Sequence, residues 1–186
     1  TGMGTLGLYN TTLSLIQTAT SLGLSSSGVR DVANANGLND GKRIAKTVKV
    51  LRRWVWVSGF FGLIVTIFLS SFLSKWVFNS QEHTWSFVYL SIVCLLTSIN
   101  NGQNVLLQGI RKLKQMAKST LFGTILGLVI SIPLYYLYGL RGIVPSIIIA
   151  ALSSLIISWY FASQVRLEPI DITWKETFYS GLEMVK

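Results

Sequence analysis

The chain has 186 residues, 51% of them apolar and only 12% charged, with a formal net charge of +9 and a mean hydropathy of +0.53. A soluble domain carries about twice that charged fraction, so this composition points to a different solvent. One cysteine, Cys94, excludes a disulfide framework.

The charges are missing from five stretches, 1–29, 54–74, 84–110, 119–140 and 142–165. About 20 residues of helix cross a hydrocarbon core of about 30 Å, and these runs are too long for barrel strands. The expected fold is therefore all-α, an integral membrane bundle of five transmembrane helices over about 8–30, 54–76, 84–109, 119–139 and 143–164. Amphipathic cytoplasmic helices are expected beside it. The chain opens Thr1-Gly2-Met3 with no basic n-region, so no signal peptide is read, and it is expected to be a piece of a longer protein.

Residues 1–9, with Gly2, Gly4 and Gly7, read as an external turn leading into the first helix near Leu8. That helix is polar for a lipid-facing span, with Asn10, Ser14, Gln17 and Ser21 on one stripe. Lipid offers such groups no partners, so the stripe faces either a wet cavity or other helices, where Ser and Thr act as glue. Arg30, at the end of this helix and next to Asp31, is a candidate phosphate contact, an interfacial anchor or a local ion pair.

Segment 34–41, Asn-Ala-Asn-Gly-Leu-Asn-Asp-Gly, reads as a turn-rich loop within a cytoplasmic connection over 34–53. After it Ile44, Val48, Leu51 and Val55 form an apolar stripe opposed by Lys42, Lys46, Lys49 and Arg53. This pattern predicts a helix lying on the inner membrane surface, with anionic membrane lipids as partners of its basic face. Trp54 and Trp56 mark the interface where the second span begins, and Trp76 marks its outer end.

The short link from Asn79 to Thr84 makes spans two and three antiparallel neighbours. The third span is apolar to Leu96 and then carries Asn100, Asn101, Gln103, Asn104 and Gln108. Thr97, Asn101, Asn104 and Gln108 share one face, which would be costly against lipid and is expected to line a cavity, with packing between helices as the alternative. In the fourth span Gly123-x-x-x-Gly127 suits a close helix contact and Pro133 predicts a kink. Gly139 to Gly142 reads as a tight outer turn, with Pro145 in the first turn of the fifth span. Past Gln164 the chain changes character, and Thr173-Trp174-Lys175-Glu176 resembles a capping box opening an amphipathic helix with Trp174, Phe178 and Leu182. Residues 166–186 are expected to be a cytoplasmic connector.

Basic residues alternate from one connection to the next. Fourteen of the sixteen follow the first, third and fifth spans, and only Lys75 and Arg141 fall on the other side. The positive-inside rule assigns the basic connections to the cytoplasm. Since the charge lies in short loops beside apolar spans, orientation explains it, and nucleic acid is not an expected partner. No phosphate-binding loop, dinucleotide fingerprint, zinc-protease motif or paired-cysteine motif occurs, and none of the seven acids falls in a membrane core. No enzyme activity, cofactor or metal is expected, and His83 reads as an external surface residue.

Gly4-Thr5-Leu6-Gly7-Leu8-Tyr9-Asn10, then Ser21-Leu22-Gly23-Leu24, Gly28-Val29-Arg30-Asp31-Val32-Ala33 and the outer turn Tyr138 to Val144 resemble one family. It is the polysaccharide (O-antigen and oligosaccharide-lipid) flippase branch of the multidrug, oligosaccharidyl-lipid and polysaccharide exporter superfamily. The resemblance covers essentially the whole chain through diffuse patterns of glycine and small residues. It implies two six-helix bundles rocking about a central cavity. The five spans here would be the second to sixth helices of the first bundle, and 166–186 the connector to a missing C-terminal bundle of the same protein. It also implies an undecaprenyl-pyrophosphate-linked oligosaccharide as cargo and a bacterial inner membrane as the location. Carboxamides donate to and accept from sugar hydroxyls, so Asn10, Gln17, Asn100, Asn101, Gln103 and Asn104 are the sugar-facing candidates. Arg30 is the candidate for the pyrophosphate. A multidrug or cation antiporter of the same superfamily is the alternative, disfavoured by the acid-free cores, and a membrane scaffold that carries nothing is a third reading.

Overall fold

A computed structural model describes residues 2–20, 24–38, 40–78, 84–165, 173, 174, 176 and 177. Among these residues the chain is helical and contains no strand. The helices are α1 (Gly2–Thr20), α2 (Leu24–Gly37), α3 (Gly41–Phe78), α4 (Thr84–Gly109), α5 (Leu113–Tyr138) and α6 (Ile143–Ser163). Four of them, α3 to α6, are long and apolar enough to cross a membrane. Their exposed Phe, Ile and Leu side chains, such as Phe68 and Leu121, are those of a surface that meets lipid.

The expected first span differs most from the reading above. Helix begins at Gly2, so the external turn over 1–9 is replaced by a helical turn that sets Tyr9 into the core, 3% exposed. The helix expected over 8–30 is two helices, with 21–23 outside the described residues, and neither alone reaches the length and hydropathy of a span. Together they do follow α4 for its whole length. Tyr9 meets Phe87 edge to face, Gln17 donates to Thr97, Gly28 lies against Val105, and Val32 lies against Gly109. The pair thus accompanies α4, in the same direction, from one end of a membrane-length helix to the other.

The loop expected over 34–41 is also shorter than read. Helix α2 continues through Asn34, Ala35 and Asn36 because Ala35 is buried at 1% exposure, and that contact outweighs the turn preference of its neighbours. Asp40 then caps α3, its Oδ1 accepting from the backbone N–H groups of Lys42 at 3.0 Å and Arg43 at 3.2 Å.

Helix α3 runs 38 residues without interruption, so the amphipathic segment 42–53 is not a separate helix on the membrane surface. At about 1.5 Å per residue it is about 57 Å long, nearly twice a hydrocarbon core of about 30 Å. No glycine, proline or turn residue lies between Lys42 and Val57 to break it. Its apolar stripe is covered by protein: Val48, Leu51 and Val55 pack with Val32, Ile99, Val105 and Leu106 in one core cluster. A second cluster, towards the other end of the bundle, joins Tyr9, Leu13 and Ile16 of α1 to Leu73, Phe87, Leu90, Cys94 and Ile143.

Helix α4 is central, packing chiefly on α3, α6 and α2 and more lightly on α1 and α5, while α5 packs chiefly on α6. The α5–α6 seam uses the glycines expected for it. A Cβ on Gly123 would stand 3.2 Å from the Ser154 backbone, and one on Gly127 3.3 Å from Ala150. Helix α5 stays helical through Pro133 and stops at Gly139, whose φ of 53° favours glycine. A short 3-10 turn over Gly139–Gly142 then leads into α6.

Candidate functional site

The polar segment of α4 is resolved by packing into two sides. Ile99, Gln103 and Leu106 turn inward towards α3 and α6, while Asn101 and Gln108 stay exposed and Thr97, Asn100 and Asn104 are half-buried at the edge. Five polar residues, Thr97, Asn100, Asn101, Asn104 and Gln108, therefore form one accessible face. Gln103 does not belong to it.

A cleft of about 350 Å³ opens beside this face, where α5 diverges from α4 over the floor made by α6. Thr97 and Asn100 contribute from α4, Thr124 and Ser131 from α5, and Ser154 from α6. Thr124 donates its hydroxyl to the Thr120 carbonyl at 2.8 Å, and Ser131 stands two turns further along α5. The hydroxyl oxygens can still accept from a ligand. These α5 residues were not singled out in the sequence, although Thr120, Thr124 and Ser131 recur at helical spacing and were there to be read.

From the other side, α1 brings part of its polar stripe to the same helix. Gln17 Nε2 donates to Thr97 Oγ1, which in turn donates to the Val93 carbonyl at 2.7 Å. Asn10 and Ser14 share that side of α1 and are exposed. Gln17 is thus joined to the candidate face through Thr97, whereas Asn10 lies nearly two helical turns away along α1. Ser21 lies outside the described residues.

Two carboxamide oxygens on α4 are buried without a hydrogen-bond partner among the described residues, Asn104 Oδ1 and Gln103 Oε1. An unpaired buried acceptor of this kind is destabilising by about 1–3 kcal/mol, so each position calls for a donor. For Asn104 the donor would come from the polar face. Gln103 instead borders a cavity of about 50 Å³ with Arg52, Trp56 and Trp159, room for a water molecule and little more. Gln103 is thus buried in the α3–α4–α6 contact and does not line the cleft beside Asn100.

Arg30 is on the exposed side of α2, its side chain 65% accessible, with Nε 3.7 Å from Asp31 Oδ1. It makes a solvent-exposed local pair of small energetic weight, below about 1 kcal/mol. The three groups of candidates therefore fall apart spatially. Asn100, Asn101 and Asn104 are gathered near Thr97, the partner of Gln17, Gln103 is buried beside them in the α3–α4–α6 contact, and Asn10 and Arg30 stand on α1 and α2.

Trp174 and Thr177 pack back on the basic part of α3. Thr173 N–H donates to Glu176 Oε2 at 3.4 Å, the reciprocal half of the capping box read in the sequence. Arg53 lies 4.6 Å from the Trp174 ring centroid and donates to Thr177 Oγ1 at 2.5 Å, and Trp54 Nε1 donates to the Thr177 carbonyl at 3.2 Å. Phe178 and Leu182 lie outside the described residues.

Compared with known families, residues 3–185 match one described as polysaccharide biosynthesis protein. No curated protein sequence and no solved structure matches the chain.

Proposed function

This chain belongs to the polysaccharide biosynthesis protein family, and from that premise we propose that it translocates a lipid-linked oligosaccharide or polysaccharide precursor across a bacterial inner membrane by alternating access. The observation that carries this reading is the accessible carboxamide face of α4, Asn100, Asn101 and Asn104, on a helix of membrane length beside a hydroxyl-lined cleft. Lipid would leave those groups unsatisfied, and a sugar supplies both donors and acceptors for them. The chemistry is transport and not bond making, with the cargo of the undecaprenyl-pyrophosphate type and the second bundle of the same protein closing the cavity. Asn104 Oδ1, buried and unpaired, is the group a sugar hydroxyl would satisfy.

The scaffold reading draws on one observation, the Gln17 to Thr97 bond, since a hydrogen bond between helices holds a bundle together without any cargo. Transport measured on the natural full-length protein separates the two. In sealed vesicles it should expose a fluorescent lipid-linked oligosaccharide to an impermeant quencher faster than protein-free vesicles do. Equal rates in the two preparations would remove the translocation reading.

A further inference from the structure

On the far side of α3 from the candidate site, a groove of about 670 Å³ runs along the helix from Lys49 to Ile64. At 1.5 Å per residue this is about 22 Å. Its composition changes along its length. Lys49, Arg52 and Arg53 stand at one end, and Val57, Phe60, Phe61 and Ile64 form the rest. No acidic side chain lines it among the described residues. Trp56 and Trp174 stand where the charged part meets the apolar part, the position aromatic side chains take at a membrane interface.

The dimensions match one leaflet. From Trp56 to Ile64 the apolar part covers about 12 Å, against about 15 Å for half of a 30 Å hydrocarbon core. Phe60 and Phe61 are 50% and 54% exposed, so no part of the described chain covers this lining. Arg53 is held by Trp174 and Thr177, which fixes the wall of the groove, and Lys49 and Arg52 line the same end.

We propose that this groove binds one anionic phospholipid of the cytoplasmic leaflet, its phosphate between Lys49 and Arg52 and one acyl chain along Phe60, Phe61 and Ile64. Charge complementarity selects an anionic headgroup, and the apolar length selects a membrane lipid over a soluble phosphate. The carrier lipid of a transported sugar is a different occupant. Its headgroup would sit at the carboxamide face beside the cleft lined by α4, α5 and α6, whereas this groove is lined by α3 and Trp174 alone. The lipid is therefore a resident of the bundle that braces α3 against the Trp174 segment. The proposal is independent of the translocation reading.

Native mass spectrometry of the natural full-length protein in detergent tests it with phosphatidylglycerol and phosphatidylcholine of matched chains. The expected result is one phosphatidylglycerol retained at least tenfold more tightly than phosphatidylcholine. Lys49→Gln with Arg52→Gln should weaken phosphatidylglycerol about tenfold and leave phosphatidylcholine unchanged. Val57→Trp, which fills the apolar part and keeps every charge, should also weaken it. Equal retention of the two lipids overturns the proposal, and so does unchanged affinity in Val57→Trp. Displacement of the lipid by inorganic phosphate alone would make this an anion site, and displacement by an equimolar polyprenyl phosphate would make it the carrier's; either result overturns the assignment.

Discussion

The seam between α3 and α4 can be probed at Gly102. A Cβ built there would stand 2.8 and 2.9 Å from the two Cγ atoms of Val55, where ordinary contact begins near 3.4 Å. Val55 cannot turn away, because rotation about its Cα–Cβ bond always leaves a methyl in one of the two positions. Gly102→Ala therefore forces the helices apart by several tenths of an ångström. Overpacking of this kind is destabilising by about 1–3 kcal/mol, offset by about 1 kcal/mol from the better helix propensity of alanine. Val55→Ala alone loses two buried methyls, about 1.5 kcal/mol. In the double variant the alanine meets only the Val55 Cβ position, 3.3 Å away, and the clash is nearly gone. Equilibrium unfolding of the full-length protein in mixed micelles should thus find the double variant more stable than the sum of the singles by about 1–3 kcal/mol. Additivity within about 0.5 kcal/mol would refute this packing of α3 on α4.

Three further expectations follow the same residues. Cysteines placed at Asn79 and Asn39 should label differently with an impermeant thiol reagent in intact cells, Asn79 from outside and Asn39 only after lysis; equal labelling would overturn the orientation read from the basic loops. Gln17→Leu and Thr97→Val should show a coupling of about 0.6 kcal/mol in unfolding, typical of a hydrogen bond between membrane helices, and zero coupling would mean that α1 does not dock there. For Arg30, Lys should preserve an interfacial anchor and lose the forked geometry suited to pyrophosphate. Transport unchanged in Arg30→Lys and in Arg30→Gln, at normal abundance, would remove any contact of Arg30 with cargo.

Long apolar runs were legible because their signal depends on length alone. The expected spans over 84–109 and 143–164 agree within a residue with α4 and α6. The polar face of α4 was legible too, since Thr97, Asn101, Asn104 and Gln108 follow helical spacing. Breaks and continuations were harder to read. Asn34 to Gly37 has the composition of a turn, but Ala35 finds a buried position, and α3 continues through a segment whose amphipathic pattern suits a membrane surface equally well. An apolar stripe does not state what will cover it. Here Val32 does, from α2 just before it in the chain, and so do Val105 and Leu106, from α4 some fifty residues on. Gln103 illustrates the limit for the site. It sits among three asparagines within a few residues, so composition groups all four, and only the packing of Ile99 and Leu106 inward turns Gln103 away from the others.

Asn101 and Asn104 give the most direct test that the polar face of α4 carries cargo. Leucine at either position makes the helix more apolar and should leave insertion intact, and at Asn104 it also removes a buried unpaired oxygen. The measurement is the rate at which the full-length protein exposes a fluorescent lipid-linked oligosaccharide to an external quencher, at matched protein density in vesicles. The account predicts at least a tenfold fall for each variant with unfolding stability equal to or above that of the wild type. Wild-type transport rates in both, with lowered stability, would contradict it and leave the carboxamides as packing groups.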